Sequence, residues 1–192
     1  MKSFNISGVT LFRSGVTLFI PIWAFLHCVS RISGVVEFSV SDQLTKNFSA
    51  HEFRVSSSFP EIAQKIAWTA FDEYKAFLIS DLYLEKVRAH IDAPVSILSG
   101  KRSRELNFAV GGAEKSDHLF EVECAACDFT FTDDTKERVF RAYEFLASSV
   151  VYFGQIIYYP EKNFIHISLP SRRHMCEVGV NSMGKLVFAS NE

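Results

Sequence analysis

The chain has 192 residues and a formal net charge of −2. That is long enough to bury a substantial core, and it lacks the cationic excess that would draw a protein to nucleic acid. Its four cysteines, Cys28, Cys124, Cys127 and Cys176, define no disulfide framework, so cysteine usage leaves the redox compartment open.

Residues 1–41 differ from the rest. Lys2 and Arg13 flank an apolar run over residues 16–28, interrupted by Pro21. This resembles the charged and apolar regions of a secretory signal, and it is short for a spanning helix, which needs about 20 apolar residues. A cleaved signal or membrane anchor is the first reading, and an upstream extension competes with it. Leu26-His27-Cys28 makes a poor lipoprotein box, because histidine replaces the small residue before the cysteine. Ser-Gly-Val-Thr-Leu-Phe occurs at residues 7–12 and again at 14–19, too little to build a solenoid. Nothing from residue 42 onward reads as a linker, so residues 42–192 are expected to form one domain.

The elements of that domain read as α+β, a small antiparallel sheet flanked by helices. Pro60 opens a helix on which Ile62, Ile66, Ala70 and Tyr74 recur at near-helical spacing. A second helix over residues 80–90 stops ahead of Pro94. Residues 95–98 form a strand that runs into a Ser99-Gly100 turn, and a short helix near 104–110 ends at Gly111-Gly112. Asp134 and Glu137 resemble a capping box ahead of a helix faced by Val139, Tyr143, Leu146 and Val150. Strands follow at 155–159, 164–168 and 185–189. Pro160 to Asn163 joins the first two as a hairpin, which sets His166 near the Asp128 strand. The nineteen phenylalanines read as core packing.

The chemistry concentrates in a few short motifs. Ser99-Gly100-Lys101-Arg102-Ser103 is followed by Leu106-Asn107, Gly111-Gly112-Ala113 and Ser116-Asp117-His118. Cys127-Asp128-Phe129 adds a carboxylate, and Phe164-Ile165-His166-Ile167-Ser168 adds a second histidine on a strand. His118, Asp128 and His166 are a plausible three-ligand catalytic zinc set with a fourth position left for water. Each residue also has an ordinary reading: His166 alone is a satisfied core histidine, and Arg102 alone is a solvated turn residue. Cys124 and Cys127 form C-x-x-C with no second copy, so a buried pair is expected. His51-Glu52 does not continue into H-E-x-x-H and is read as structural.

Taken in order, these motifs resemble the zinc D-alanyl-D-alanine carboxypeptidases, whose fold is shared by Hedgehog signalling domains and vancomycin-resistance dipeptidases. Gly154, Tyr158, Tyr159 and Pro160, with Asn47-Phe48-Ser49 and Glu52-Phe53, resemble the phage-encoded branch of that family. The resemblance covers roughly residues 42–172. It implies that His118, Asp128 and His166 bind zinc, that Arg102 holds the carboxylate of a terminal D-alanine, and that Ser116 hydrogen-bonds the substrate backbone. Zinc would then polarise the scissile carbonyl and lower the pKa of its water, while a guanidinium fork matches a carboxylate.

Two departures from the family pattern accompany the match. Nine residues separate His118 from Asp128, more than the family leaves, which makes Glu121 and Glu123 alternative oxygen ligands. Where relatives carry glutamate three positions before the last ligand this chain has Asn163, and Ser168 stands where they have aspartate. Glu161 is the nearest carboxylate and the candidate base. The expected activity is zinc metallopeptidase cleavage of peptidoglycan stem peptides, as carboxypeptidase or endopeptidase, in an exported or membrane-associated protein of the cell envelope. The alternatives are an inactive relative that binds wall peptide or a protein partner and, ranked last, a lysis-accessory membrane protein.

Overall fold

The computed structural model describes residues 42–121, 123–133 and 135–189, and the backbone of Asn5–Ile6 and Val9–Thr10. The chain divides into two compact units, Met1–Val40 and Ser41–Glu192. In the first, Asn5–Ile6 pairs antiparallel with Val9–Thr10. The apolar run at 16–28, with Cys28, lies outside the described residues, as does Asp134. Among the described residues no helix is long and apolar enough to cross a membrane.

The second unit is α+β. Its strands are β1 (Val95–Ser99), β2 (Ala126–Phe131), β3 (Gln155–Tyr159), β4 (Phe164–Ser168), β5 (Glu177–Ser182) and β6 (Lys185–Phe188). They form one sheet in the order β1-β2-β4-β3-β5-β6. Every neighbouring pair is antiparallel except β3 and β5, which run parallel.

Side chains alternate across the sheet. On one face Cys127, Phe129, Phe131, Ile156, Tyr158, Ile165 and Ile167 pack into the core against Ile79, Tyr83, Leu84, Val87, Val139, Ala142 and Leu146 from the helices. Each fully buried Phe or Ile here contributes about 1.5–3 kcal/mol of hydrophobic stabilisation. The opposite face presents Asp128, Thr130, His166 and Ser168. The same alternation that builds the core therefore gathers the polar groups of β2 and β4.

The helices are α1 (Pro60–Ala63), α2 (Ala70–Ile79), α3 (Glu85–Ile91), α4 (Arg104–Ala109) and α5 (Lys136–Ser149). The helix expected to run from Pro60 through Tyr74 is two helices. Thr69 caps a new start: its Oγ1 accepts from Asp72 N (3.2 Å) while Asp72 Oδ2 accepts from Thr69 N (2.8 Å). From there α2 runs through a π turn, Ser80–Leu84, directly into α3, which ends on Asp92 with φ 55°. α4 closes through Gly111 at φ 71°, as its glycines predict. The strand at 177–182 is not anticipated from the sequence.

The motif residues outside the sheet serve to position the loops. Glu52 Oε1 accepts from Ser49 N (2.8 Å) and caps the 3₁₀ turn Ala50–Arg54. Phe53, fully buried, offers its carbonyl to Lys101 N (2.8 Å). Asn107 Nδ2 donates to Ala113 O (2.8 Å) and holds the loop that leads to Ser116.

Candidate metal centre

In the ladder between β2 and β4, Asp128 is paired directly with His166, and Ile157 of β3 lies opposite His166 on its other side. Directly opposed residues bring their Cβ atoms to about 4.5–5.5 Å. His166 Nδ1 lies 2.8 Å from Asp128 Oδ1. His118 arrives from a different kind of segment, the 3₁₀ turn Asp117–Leu119. Its Nε2 stands 3.1 Å from Asp128 Oδ1 and 3.2 Å from His166 Nδ1. One donor atom from each of the three residues falls within a 4.8 Å sphere of mutual distances, close enough to hold one metal ion.

The protonation states suit that use. Burial lowers the pKa of His118 and keeps its imidazole neutral. Its Nδ1 lies 2.7 Å from Gly100 O and donates to that carbonyl, which fixes the tautomer and leaves Nε2 as the donor toward the cluster. For Asp128, burial opposes ionisation, but the two imidazoles outweigh it and hold the carboxyl well below the usual range. The site therefore presents two imidazoles and one anionic carboxylate, a donor set that zinc accepts.

Arg102 sits against this cluster. Its Nη2 donates to Asp128 Oδ2 (2.9 Å) and its Nε to Ser99 Oγ (2.9 Å), while its backbone N–H donates to His118 O (2.7 Å). With Lys101, Arg104 and Leu119 it lines a cleft of about 240 Å³. Ser116 caps the His118 turn, its Oγ accepting from His118 N (3.3 Å), which leaves the hydroxyl hydrogen free of that bond.

Other expected residues fall elsewhere. Glu161 lies in the turn joining β3 and β4, fully exposed, with Oε1 accepting from Ser182 Oγ (2.5 Å). His166 is two residues in from Phe164, the residue that pairs with Tyr159 to close the hairpin, or about 7 Å along the strand. Glu161 thus sits in the hairpin turn with its carboxylate engaged by Ser182. Asn163 has φ 55°, a turn conformation that asparagine tolerates, so it serves the hairpin. Ser168 Oγ accepts from Gln155 N (2.9 Å) and pins β3. Glu121 pairs with Arg104, and Glu123 with Arg172 (3.2 Å). Cys124 and Cys127 are buried free thiols, both pushed up by burial.

Several contributors escape sequence reasoning. Arg173 donates from Nη2 to Asp117 Oδ1 (2.9 Å) and from Nη1 to Lys115 O, bracing the segment that carries His118. Buried Lys75 reaches the loop beyond His118. Tyr159, noted only as part of a motif, lies on the His166 side of the sheet and stacks on Phe164 with ring centroids 4.4 Å apart. No local pattern marks Arg173 or Lys75, because their partners are remote in sequence.

Comparison with known sequences places this geometry in context. A sequence model of the family described as peptidase M15 matches residues 46–168, a span that holds all three members of the cluster together with Arg102 and Ser116. No curated protein and no solved structure matches the chain.

Proposed function

Because the chain belongs to the peptidase M15 family, we propose that it is a zinc-dependent peptidase cleaving the peptide stems of peptidoglycan, with His118, Asp128 and His166 as the metal ligands. The convergence of those three buried side chains from a turn and two paired strands carries the reading. Zinc held there would act as a Lewis acid on the scissile carbonyl and activate water for attack.

The protein's own groups have definable parts. His118 is delivered neutral and correctly oriented by the Gly100 carbonyl. Asp128 brings the negative charge that offsets a dication, and Arg102 fixes one of its oxygens. Arg102 lines the cleft, and its guanidinium is of the kind suited to a substrate carboxylate. The Ser116 hydroxyl is suited to a substrate carbonyl beside the scissile bond. D-alanyl-D-alanine carboxypeptidase action, of the phage type, is the form of the activity the motifs favour. Such a substrate places the protein at the cell envelope, with residues 1–41 as signal or anchor.

A second reading is a metal-holding relative that binds wall peptide without cleaving it. It is favoured by Asn163 serving the hairpin turn and by Glu161 being tied to Ser182. The test is to incubate the purified full chain with zinc and a stem pentapeptide and to follow released D-alanine by mass spectrometry, beside His118→Ala. Zinc-dependent release lost in the variant supports the peptidase. Zinc uptake without release supports the second reading, and absence of both removes the two together.

A further inference from the structure

We infer that Lys75 is a positioning residue of the metal centre: its buried ammonium gathers the nine-residue segment that joins His118 to Asp128, so that His118 reaches the strand-held pair. The inference rests on the metal-site reading above.

Lys75 is 4% exposed and projects from α2. Its Nζ donates to Phe120 O (2.9 Å), Glu121 O (2.5 Å) and Cys124 O (3.1 Å). An ammonium has three N–H donors, and here all three end on main-chain carbonyls of one loop. The Phe71 ring lies 4.4 Å from the same nitrogen. Burial lowers the pKa of Lys75, and no carboxylate forms an ion pair with it among the described residues. Taking an ammonium out of water without an ionic partner is costly, and the three carbonyls offset that cost only while the loop keeps this shape.

The gripped carbonyls bracket the site. Phe120 and Glu121 follow the His118 turn, with Phe120 at φ 51°, and Cys124 precedes β2 and Asp128. Cys124 N also donates to Glu121 O (3.0 Å), closing a turn inside the grip. The carbonyls of Phe120, Glu121 and Cys124 therefore converge on the ammonium. The β2–β4 register keeps Asp128 on the site face, and the Lys75 grip joins Phe120 to Cys124 in the arrangement that lets the His118 turn meet it there.

The experiment uses the full chain, measuring zinc affinity by competition with a chromophoric chelator and ligand geometry by the cobalt(II) absorption spectrum. Fold is checked separately by circular dichroism. Lys75→Met is expected to stay folded, weaken zinc by about 10–100-fold and lose the intense tetrahedral cobalt bands, with Lys75→Arg partly restoring both. A folded Lys75→Met with unaltered zinc affinity and cobalt spectrum overturns the inference. Should Lys75→Met not fold, hydrogen exchange on the unmodified chain decides. Zinc is expected to slow exchange of the Cys124 N–H at least about 10-fold, since coupling between loop and site is reciprocal, and an unchanged rate overturns the inference. Failure of the unmodified chain to bind zinc removes the metal-site reading itself and the inference with it, a result distinct from zinc binding that ignores Lys75.

Discussion

His166 and Asp128 are held by the sheet, whereas His118 is held by a loop, and the two halves of the cluster owe their positions to different physics. The strand-held pair is set by ladder register: β2 and β4 bury Cys127, Phe129, Ile165 and Ile167 on one face, so Asp128 and His166 must emerge together on the other. The loop-held ligand depends on Gly100 O, the Arg102 backbone, Arg173 on Asp117 and the Lys75 grip. Side chains placed by register are insured by the whole core. His118 is placed by a few polar contacts to remote segments, two of which, from the Arg173 and Lys75 side chains, are each removed by a single substitution.

The largest effect comes from removing a donor from either half. Asp128→Asn and His118→Ala are each expected to abolish stoichiometric zinc and lower stem-peptide hydrolysis by at least about 10³-fold, read by metal analysis and by released D-alanine. Retained zinc in Asp128→Asn would mean that the strand register does not deliver a ligand. Next is Gly100→Ala, which bears first on the loop-held half through the carbonyl that His118 contacts. A Cβ at Gly100 would lie 2.5 Å from Phe53 O and 2.6 Å from Phe53 Cα, both backbone atoms that cannot swing aside. The expected cost is about 1–3 kcal/mol in urea denaturation, together with weakened zinc as the Gly100 carbonyl withdraws from His118 Nδ1. Unchanged stability would show that the contact relaxes freely.

The same division explains what the sequence reveals. Alternation makes β4 legible and puts His166 on it, and the hairpin from Pro160 to Asn163 follows from turn chemistry. The break between α1 and α2 is hidden because Ile62, Ile66, Ala70 and Tyr74 keep helical spacing across it, while the box that restarts the helix uses Thr69 and Asp72 instead of the commoner glutamate. β5 is obscured by Gly179 in its middle and by partly exposed residues on both faces, which blur the period. The spacing between His118 and Asp128 cannot be judged from the chain alone, since the lysine that gathers the extra residues lies on α2.

Arg102 joins the two halves, so its replacement sharpens the comparison at smaller amplitude. Lysine cannot reproduce the planar fork by which the guanidinium reaches Ser99 and Asp128 at once and keeps further N–H donors. Arg102→Lys is expected to lower kcat/KM by about 10–100-fold, the range for a lost charge-assisted bond. Most of that loss should appear in KM, while zinc stays bound. An equal loss confined to kcat would assign Arg102 to the chemistry of the cluster instead of to a substrate carboxylate.

The smallest expected effect is at Glu161, and its smallness is informative. The side chain is solvated at the hairpin turn, and Glu161→Gln keeps an oxygen that can accept from Ser182. Ladder geometry places this turn about 7 Å beyond His166 along β4, and the buried residues flanking His166 in the sheet prevent the strand from sliding. Hydrolysis and zinc affinity should therefore both stay within about 2-fold, as for a surface substitution. If hydrolysis instead collapses while zinc remains, the hairpin must fold over the cluster in the working enzyme. The strand-held half would then be as dependent on polar contacts outside the ladder as the half that carries His118.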